Sequence, residues 1–201
     1  MPIRSHLQTG QVDPSLFLAV DDVVQAAHPA VVSLARKLRA SAESDEDFAR
    51  RAYEWVRDEI RHSVDAQDRR VTLTASEVLE RRVGLCFAKS HLYAAILRSQ
   101  GVPAALCYQR LENGNGGHVL HGLVAVYLRR GWHRQDVRGN NAGVDAQWSL
   151  DHERLAWEAD PTRGEADYPD LFVAPASCVV DALSSTDDAF ELCDGGLPSA
   201  L

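Results

Sequence analysis

Lysine is almost missing from this chain: of 21 basic residues only Lys37 and Lys89 are lysines, and the other nineteen are arginines. The bias reads as a coding preference, and it makes Lys89 conspicuous. Positive charge is scarce as a whole, with 29 acidic residues giving a formal net charge of -8. The arginine doublets at 50–51, 69–70, 81–82 and 129–130 are scattered among acids, so no basic face forms. Nucleic-acid and membrane partners are therefore not expected. No run of 18 apolar residues exists, and the opening MPIRSHLQTG lacks the apolar centre of a signal peptide, so a cytoplasmic setting is expected. Cysteine is sparse too: Cys86, Cys107, Cys178 and Cys193 include no Cys-x-x-Cys and are expected to be reduced. There is no internal repeat and no linker rich in Pro or Ser. One domain is expected over 1–201, with a core at about 45–160 and mobile ends at about 1–13 and 188–201.

What is present is a chain that is 45% hydrophobic, enough for a full core, and patterned in two halves. The first third reads as helical. Asp13-Pro14 opens SLFLAVDDVVQAAH, Pro29 suits the first position of AVVSLARKLRA, and Ser44-Asp45-Glu46-Asp47 reads as cap and first turn of a third helix. Residues 61–71 are a polar connection without a strong period. Beyond Pro103 the period changes to two: 104–111 and 119–128 are strands around the turn ENGNGG, and 132–138 returns as a third strand. The strand at 119–128 is apolar on both faces and so belongs in the middle of a sheet. A short helix is expected near 176–184.

The organising stretch runs from Thr74 to Gly101. Thr74 and Glu77 form a capping box that opens a short helix reaching about Arg82. After Leu85 a second helix begins at Cys86, apolar on nearly all sides, until Gly101 and Pro103 stop it. A helix of this kind is buried, so Cys86 lies at the positive end of a buried dipole beside unpaired N–H groups, a place that favours thiolate. Lys89, three residues on, would share a face with the sulfur and support its charge. Most free cysteines are merely small buried hydrophobes, so Cys86 needs partners before it counts as a nucleophile.

The hairpin offers them. If Arg129 and Arg130 form a two-residue turn, Leu128 pairs with Gly131 and Leu123 stands opposite Asp136. Asp136 then shares a face with His121 at roughly 7–8 Å between backbone positions, which a carboxylate and an imidazole can span. A thiolate needs a base, and the base needs a group to orient it. Cys86, His121 and Asp136 supply these in order. His118 and His121 have a spacing seen in metal sites, but residues three apart on a strand face opposite sides, so no metal or cofactor is expected. Cys107 and Cys178 read as structural, and His91, His133 and His152 as surface or packing residues.

GLCFAKSHLYAAILRSQGVPA followed by HGLVAVYLRRGWHRQD resembles the core of the transglutaminase-like superfamily. That resemblance implies an α+β, papain-like fold, with N-terminal helices and a central Cys-bearing helix packed on an antiparallel sheet. It also implies a catalytic Cys86, His121 and Asp136, the last following Trp132 in a Gly-Trp…Asp pattern. It extends through TASEVLERRVG and RGNNAGVDAQW and covers most of 45–160. Where the family often has His-Ala-Trp and Asp-Pro, this chain reads His121-Gly122-Leu123 and Asp136-Val137, which bears on the acyl pocket. Asp160-Pro161 is a second Asp-Pro, but its loop context favours Asp136. The Cys86 N–H would be one oxyanion donor. Tyr53, Trp55 and His62 are alternatives for the second, with His62 preferred, and Lys89 and Trp132 are further candidates for contact with substrate.

The expected chemistry is thiol-dependent acyl transfer on a peptide, protein or small amide, as a cysteine peptidase, amidase or cross-linking transferase. A non-catalytic module that binds a peptide or partner protein in the same groove is the alternative.

Overall fold

In the computed structural model, which describes residues 12–201, the helix-start signals open the elements they announce. Pro29 begins helix α1 (Pro29–Ala40), and the Ser44 hydroxyl accepts the Asp47 N–H at the head of helix α2 (Asp45–Glu59). Thr74 and Glu77 form the full reciprocal box that starts helix α3 (Ala75–Arg81), with Thr74 Oγ1 accepting from the Glu77 N–H and Glu77 Oε2 accepting from the Thr74 N–H. Arg82, at a left-handed φ of 55°, ends that helix and frees the chain to turn toward Cys86.

The segment predicted as a first helix differs. Only Pro14–Leu18 is helical, as a 3-10 turn, and turns follow. Asp21 explains the break, because its Oδ1 accepts from the N–H groups of Val23 and Val24 at 2.8 and 2.7 Å and so competes with helical bonding. The apolar residues then part company: Phe17 joins one cluster and Val24 another.

The connection 61–71 also holds more than the sequence suggested. β1 (Arg61–His62) pairs in parallel with β2 (Val83–Gly84), which brings His62 beside Gly84, two residues before Cys86. Helix α4 (Cys86–Arg98) follows and is buried along its whole length. It packs on a four-stranded antiparallel sheet of β3 (Ala104–Glu112), β4 (His118–Leu128), β5 (Gly131–Gln135) and β6 (Ala166–Asp167), in the order β5-β4-β3-β6. Leu106, Tyr108, Val124 and Val126 face the helix cluster, while Ala105, Cys107, Leu123 and Ala125 face a smaller cluster with Phe17 and Trp132. Burying Phe87, Leu92, Ile96 and Leu97 stabilises this layer by about 1.5–3 kcal/mol per side chain. At the far end of α4, Arg98 donates to the carbonyls of Ala104, Ala19 and Val173, joining three distant segments. The result is an α+β fold with a Cys-bearing helix against an antiparallel sheet, as expected.

β6 was missed because two residues give no period. Helix α5 (Ser177–Ser185) matches the expected short helix. The tail expected to be mobile from about 188 is instead packed: Leu192 is 1% exposed, and Leu120 donates its N–H to Pro198 O at 2.8 Å. Its polar composition concealed one apolar anchor and a set of backbone bonds. The other expected mobile end lies, for residues 1–11, outside the described residues.

Candidate active site

The hairpin adopts the register that the turn Arg129-Arg130 dictates. Both residues have positive φ, 51° and 61°, and Leu128 pairs with Gly131, with the ladder running to Val124 opposite Gln135. Asp136 is the next residue, and His121 Nε2 donates to its Oδ2 at 2.8 Å. Asp136 also accepts the N–H of Arg138 on Oδ1 and of Ala156 on Oδ2, at 2.9 and 3.0 Å. Three donors fix both carboxylate oxygens inside a site where Asp136 is 1% exposed.

Gly122 sets the approach of the helix. A Cβ there would stand 2.7 Å from Phe87 Cδ1 and 3.1 Å from Phe87 Cα, so the first turn of α4 rests directly on β4. Ser90 Oγ donates to Gly122 O at 3.3 Å and secures the same contact. Leu85 precedes the helix without a side-chain cap, which leaves the first-turn N–H groups beside Cys86 uncapped by any side chain.

The electrostatics follow. Burial disfavours a charged His121, but the Asp136 carboxylate and the Cys86 sulfur, as charges and as hydrogen-bond partners, outweigh it and raise the ring to about 10. Burial likewise pushes the Asp136 carboxyl up, yet the His121 charge and the three donors bring it below its ordinary value. Trp157 stands edge-on to the His121 ring, with centroids 5.1 Å apart, and Arg138 lies over the other ring at 5.3 Å while binding Asp65 with both terminal nitrogens. Trp157 and Asp65 escaped sequence reasoning because they lie in segments without period, and Arg138 because the strand expected over 132–138 ends at Gln135, which frees Arg138 to turn into the cavity.

Cys86 and His121 line one cavity of about 470 Å³, together with His62, Arg138 and Trp157. His62 therefore belongs to the site. Burial, with the Arg138 charge, pushes its ring down to about 3, so it is neutral, and its Nδ1 is buried without a hydrogen-bond partner among the described residues. Two other candidates are corrected. Lys89 is fully buried and does not line the cavity; its ammonium donates to Ile60 O and Arg57 O, at the C-terminal end of α2, which attracts a cation. Trp132 pairs with Tyr127 at the other end of β4 from His121 and packs on Phe17, with ring centroids 4.8 Å apart. Cys193, assigned to a loose tail, lines the cavity. Asp160 caps the turn Pro161–Arg163 and does not compete with Asp136. His118 bonds to Arg110 and to Arg163 O, and among the described residues no group of three or more His, Cys, Asp or Glu is placed to hold a metal ion.

His91 gives a stability prediction. It is fully buried, Nδ1 donates to Leu73 O at 2.8 Å, and burial pushes the ring down to about 4. Between 6.5 and 4 the unfolded chain takes up a proton that the folded chain refuses, so stability falls as pH falls through that window, by about 1.4 kcal/mol per unit at most. Urea melts at pH 7 and pH 5 should show this loss, and His91→Asn should reduce the slope.

The comparisons agree with the fold. The sequence profile of the transglutaminase-like superfamily matches residues 32–137, just over half of the chain. No curated protein matches. Among solved structures, a candidate cysteine protease from Cytophaga hutchinsonii is similar at 20% identity and a TM-score of 0.51, covering 67% of this chain and 47% of its own. The periplasmic domain of TgpA from Pseudomonas aeruginosa, bound to ethylmercury, matches at 19% identity and a TM-score of 0.48, covering 65% of this chain and 51% of its own. The chain thus spans about half the length of those structures. With the profile match running from within α1 to the residue after Asp136, this chain belongs to the transglutaminase-like superfamily.

Proposed function

We propose that the protein is a thiol-dependent acyl-transfer enzyme acting on an amide or peptide bond, as a cysteine peptidase, amidase or transglutaminase-like enzyme. One observation supports this above the others: a buried imidazole held on Nε2 by a carboxylate at 2.8 Å, lining one cavity with a thiol at an uncapped helix start. Cys86 sulfur, paired as thiolate with the His121 imidazolium, attacks the carbonyl carbon. The His121 proton passes to the leaving nitrogen as the C–N bond breaks, and the acyl group stays on sulfur as a thioester. Water or an amine, deprotonated by the now neutral ring, attacks the thioester and releases the acyl product and free Cys86. Asp136 orients the ring and favours its charged form. The Cys86 N–H and the neutral His62 ring are the donors proposed for the developing oxyanion.

His62→Ala is expected to lower kcat by about 10²-fold, the usual cost of one such donor, with little change in KM. Unchanged turnover would remove His62 from the mechanism.

The deciding experiment combines a screen of peptide and amide substrates, with Cys86→Ala as the inactive control, and alkylation of Cys86 by iodoacetamide across pH. Rapid labelling at pH 6 is expected of a thiolate–imidazolium pair. Labelling that rises only near pH 8.5, the range of an ordinary thiol, would favour the binding module instead.

A further inference from the structure

β5 leaves β4 after the pair Val124 and Gln135, so among the described residues the edge of β4 toward His118 has no strand beside it. Leu120 has the same parity as Val124 and presents its N–H to that vacated edge. The chain fills the place itself: Pro198 O accepts the Leu120 N–H at 2.8 Å, and Arg110 Nε donates to Ser199 O at 3.2 Å. Leu197 is extended, at φ -78° and ψ 144°, and lines the same cavity as Cys86 and His121. Behind it, Leu192 is buried and its carbonyl accepts the Leu197 N–H at 2.9 Å, which anchors the segment as it enters the cavity. A stretch of polypeptide thus sits one residue from His121, bonded through its backbone to a strand edge, with an apolar side chain in the cavity. A backbone bond to an open strand edge beside a pocket for a side chain is the first element of recognition by strand addition.

We propose that the vacated β4 edge at Leu120 is the docking edge for an extended peptide substrate bearing an apolar residue, and that residues 197–199 occupy it in the resting protein. The inference rests on the thiol acyl-transfer reading and narrows its substrate class to a polypeptide segment. Leu197 marks where the apolar side chain of the substrate goes, and the Pro198 carbonyl marks where a substrate carbonyl takes the Leu120 N–H. Binding requires the resident segment to leave, so apparent affinity is reduced by the fraction of molecules in which it is seated.

The test compares two reagents on Cys86, read by peptide mapping so that Cys193 is counted separately. Iodoacetamide is small and has no need of the edge; an acyloxymethyl ketone on a leucine-containing peptide needs it. In a chain shortened to end at Gly196, the peptidyl reagent should label Cys86 at least about tenfold faster than in the full chain, measured relative to iodoacetamide. A synthetic peptide of residues 192–201, added to the shortened chain, should reverse the gain. Leu197→Asp, which keeps the backbone, should give an acceleration in the same direction if the shortened chain does not fold. Equal relative rates in the full and altered chains would overturn the proposal, as would an equal gain for a non-peptide ketone, which would mark mere uncovering of the cavity. Failure of iodoacetamide itself to label Cys86 rapidly at pH 6 would instead overturn the acyl-transfer reading beneath it.

Discussion

Asp136→Asn should lower kcat by about 10³-fold and move the alkaline limb of the activity profile to lower pH. The size lies between the contribution of one general acid–base group and the cost of losing the orienting acid of a triad. It corresponds to about 4 kcal/mol of transition-state stabilisation. The shift has its own cause. In the proposed mechanism His121 must carry a proton to release the leaving nitrogen, and the Asp136 carboxylate is the leading influence that keeps it charged up to about 10. Asparagine can still offer an oxygen to His121 Nε2 and the Ala156 N–H, but its amide then faces the Arg138 N–H, so one buried donor loses its acceptor. Activity should thus fall away well below pH 10 in the variant while the wild type persists. A variant with reduced kcat and an unmoved alkaline limb would show that Asp136 acts only as a structural acceptor. The same pair bears on stability. A folded-state pKa raised above 6.5 for His121 contributes stability that is present below 6.5 and lost as pH rises through about 10. The depressed Asp136 carboxyl contributes stability present above 3.8 and lost as pH falls through its lower folded value.

Gly122→Ala should both destabilise the fold and misplace the thiol. The added Cβ meets Phe87 Cδ1 at 2.7 Å, which a rotation of that ring could relieve, but also Phe87 Cα at 3.1 Å and Phe87 N at 3.3 Å, which only movement of the helix backbone could relieve. Phe87 follows Cys86, so the displaced atoms are those that carry the proposed nucleophile. Overpacking of this kind costs about 1–3 kcal/mol, and misplacing a reacting group by as little as 1 Å can cost about 10²-fold in rate. Denaturant melts should show the first and kcat of the folded fraction the second. Normal kcat in a stable Gly122→Ala protein would mean that the helix start has slack, and that the close approach to β4 does not set the position of Cys86. The same contact gives a physical reason for the glycine where the family often has alanine after the histidine.

The elements that were legible in the sequence are those whose cause is local. The Thr74–Glu77 box, the Pro29 and Ser44 starts and the apolar run from Phe87 to Leu97 each decide their own helix within a few residues. The register of β4 on β5 was legible for the same reason: a two-residue turn at Arg129 and Arg130 fixes every pair up to Gln135, and so brings Asp136 to the face of His121. The apolar pattern misled at 15–28 because two bonds from the Asp21 side chain outweighed it.

What the sequence by itself determined is therefore the α+β class, the buried helix headed by Cys86, and the pairing of His121 with Asp136, since helix caps, side-chain period and turn length act over neighbouring residues. Only the tertiary structure decided that Lys89 serves the end of α2 rather than the sulfur, that Trp132 packs away from the cavity, and that Trp157, Arg138, Cys193 and Leu197 reach it. Each of those outcomes depends on which distant surface a side chain meets once the core has closed. No spacing along the chain encodes that meeting, because it is a consequence of packing between elements far apart in sequence.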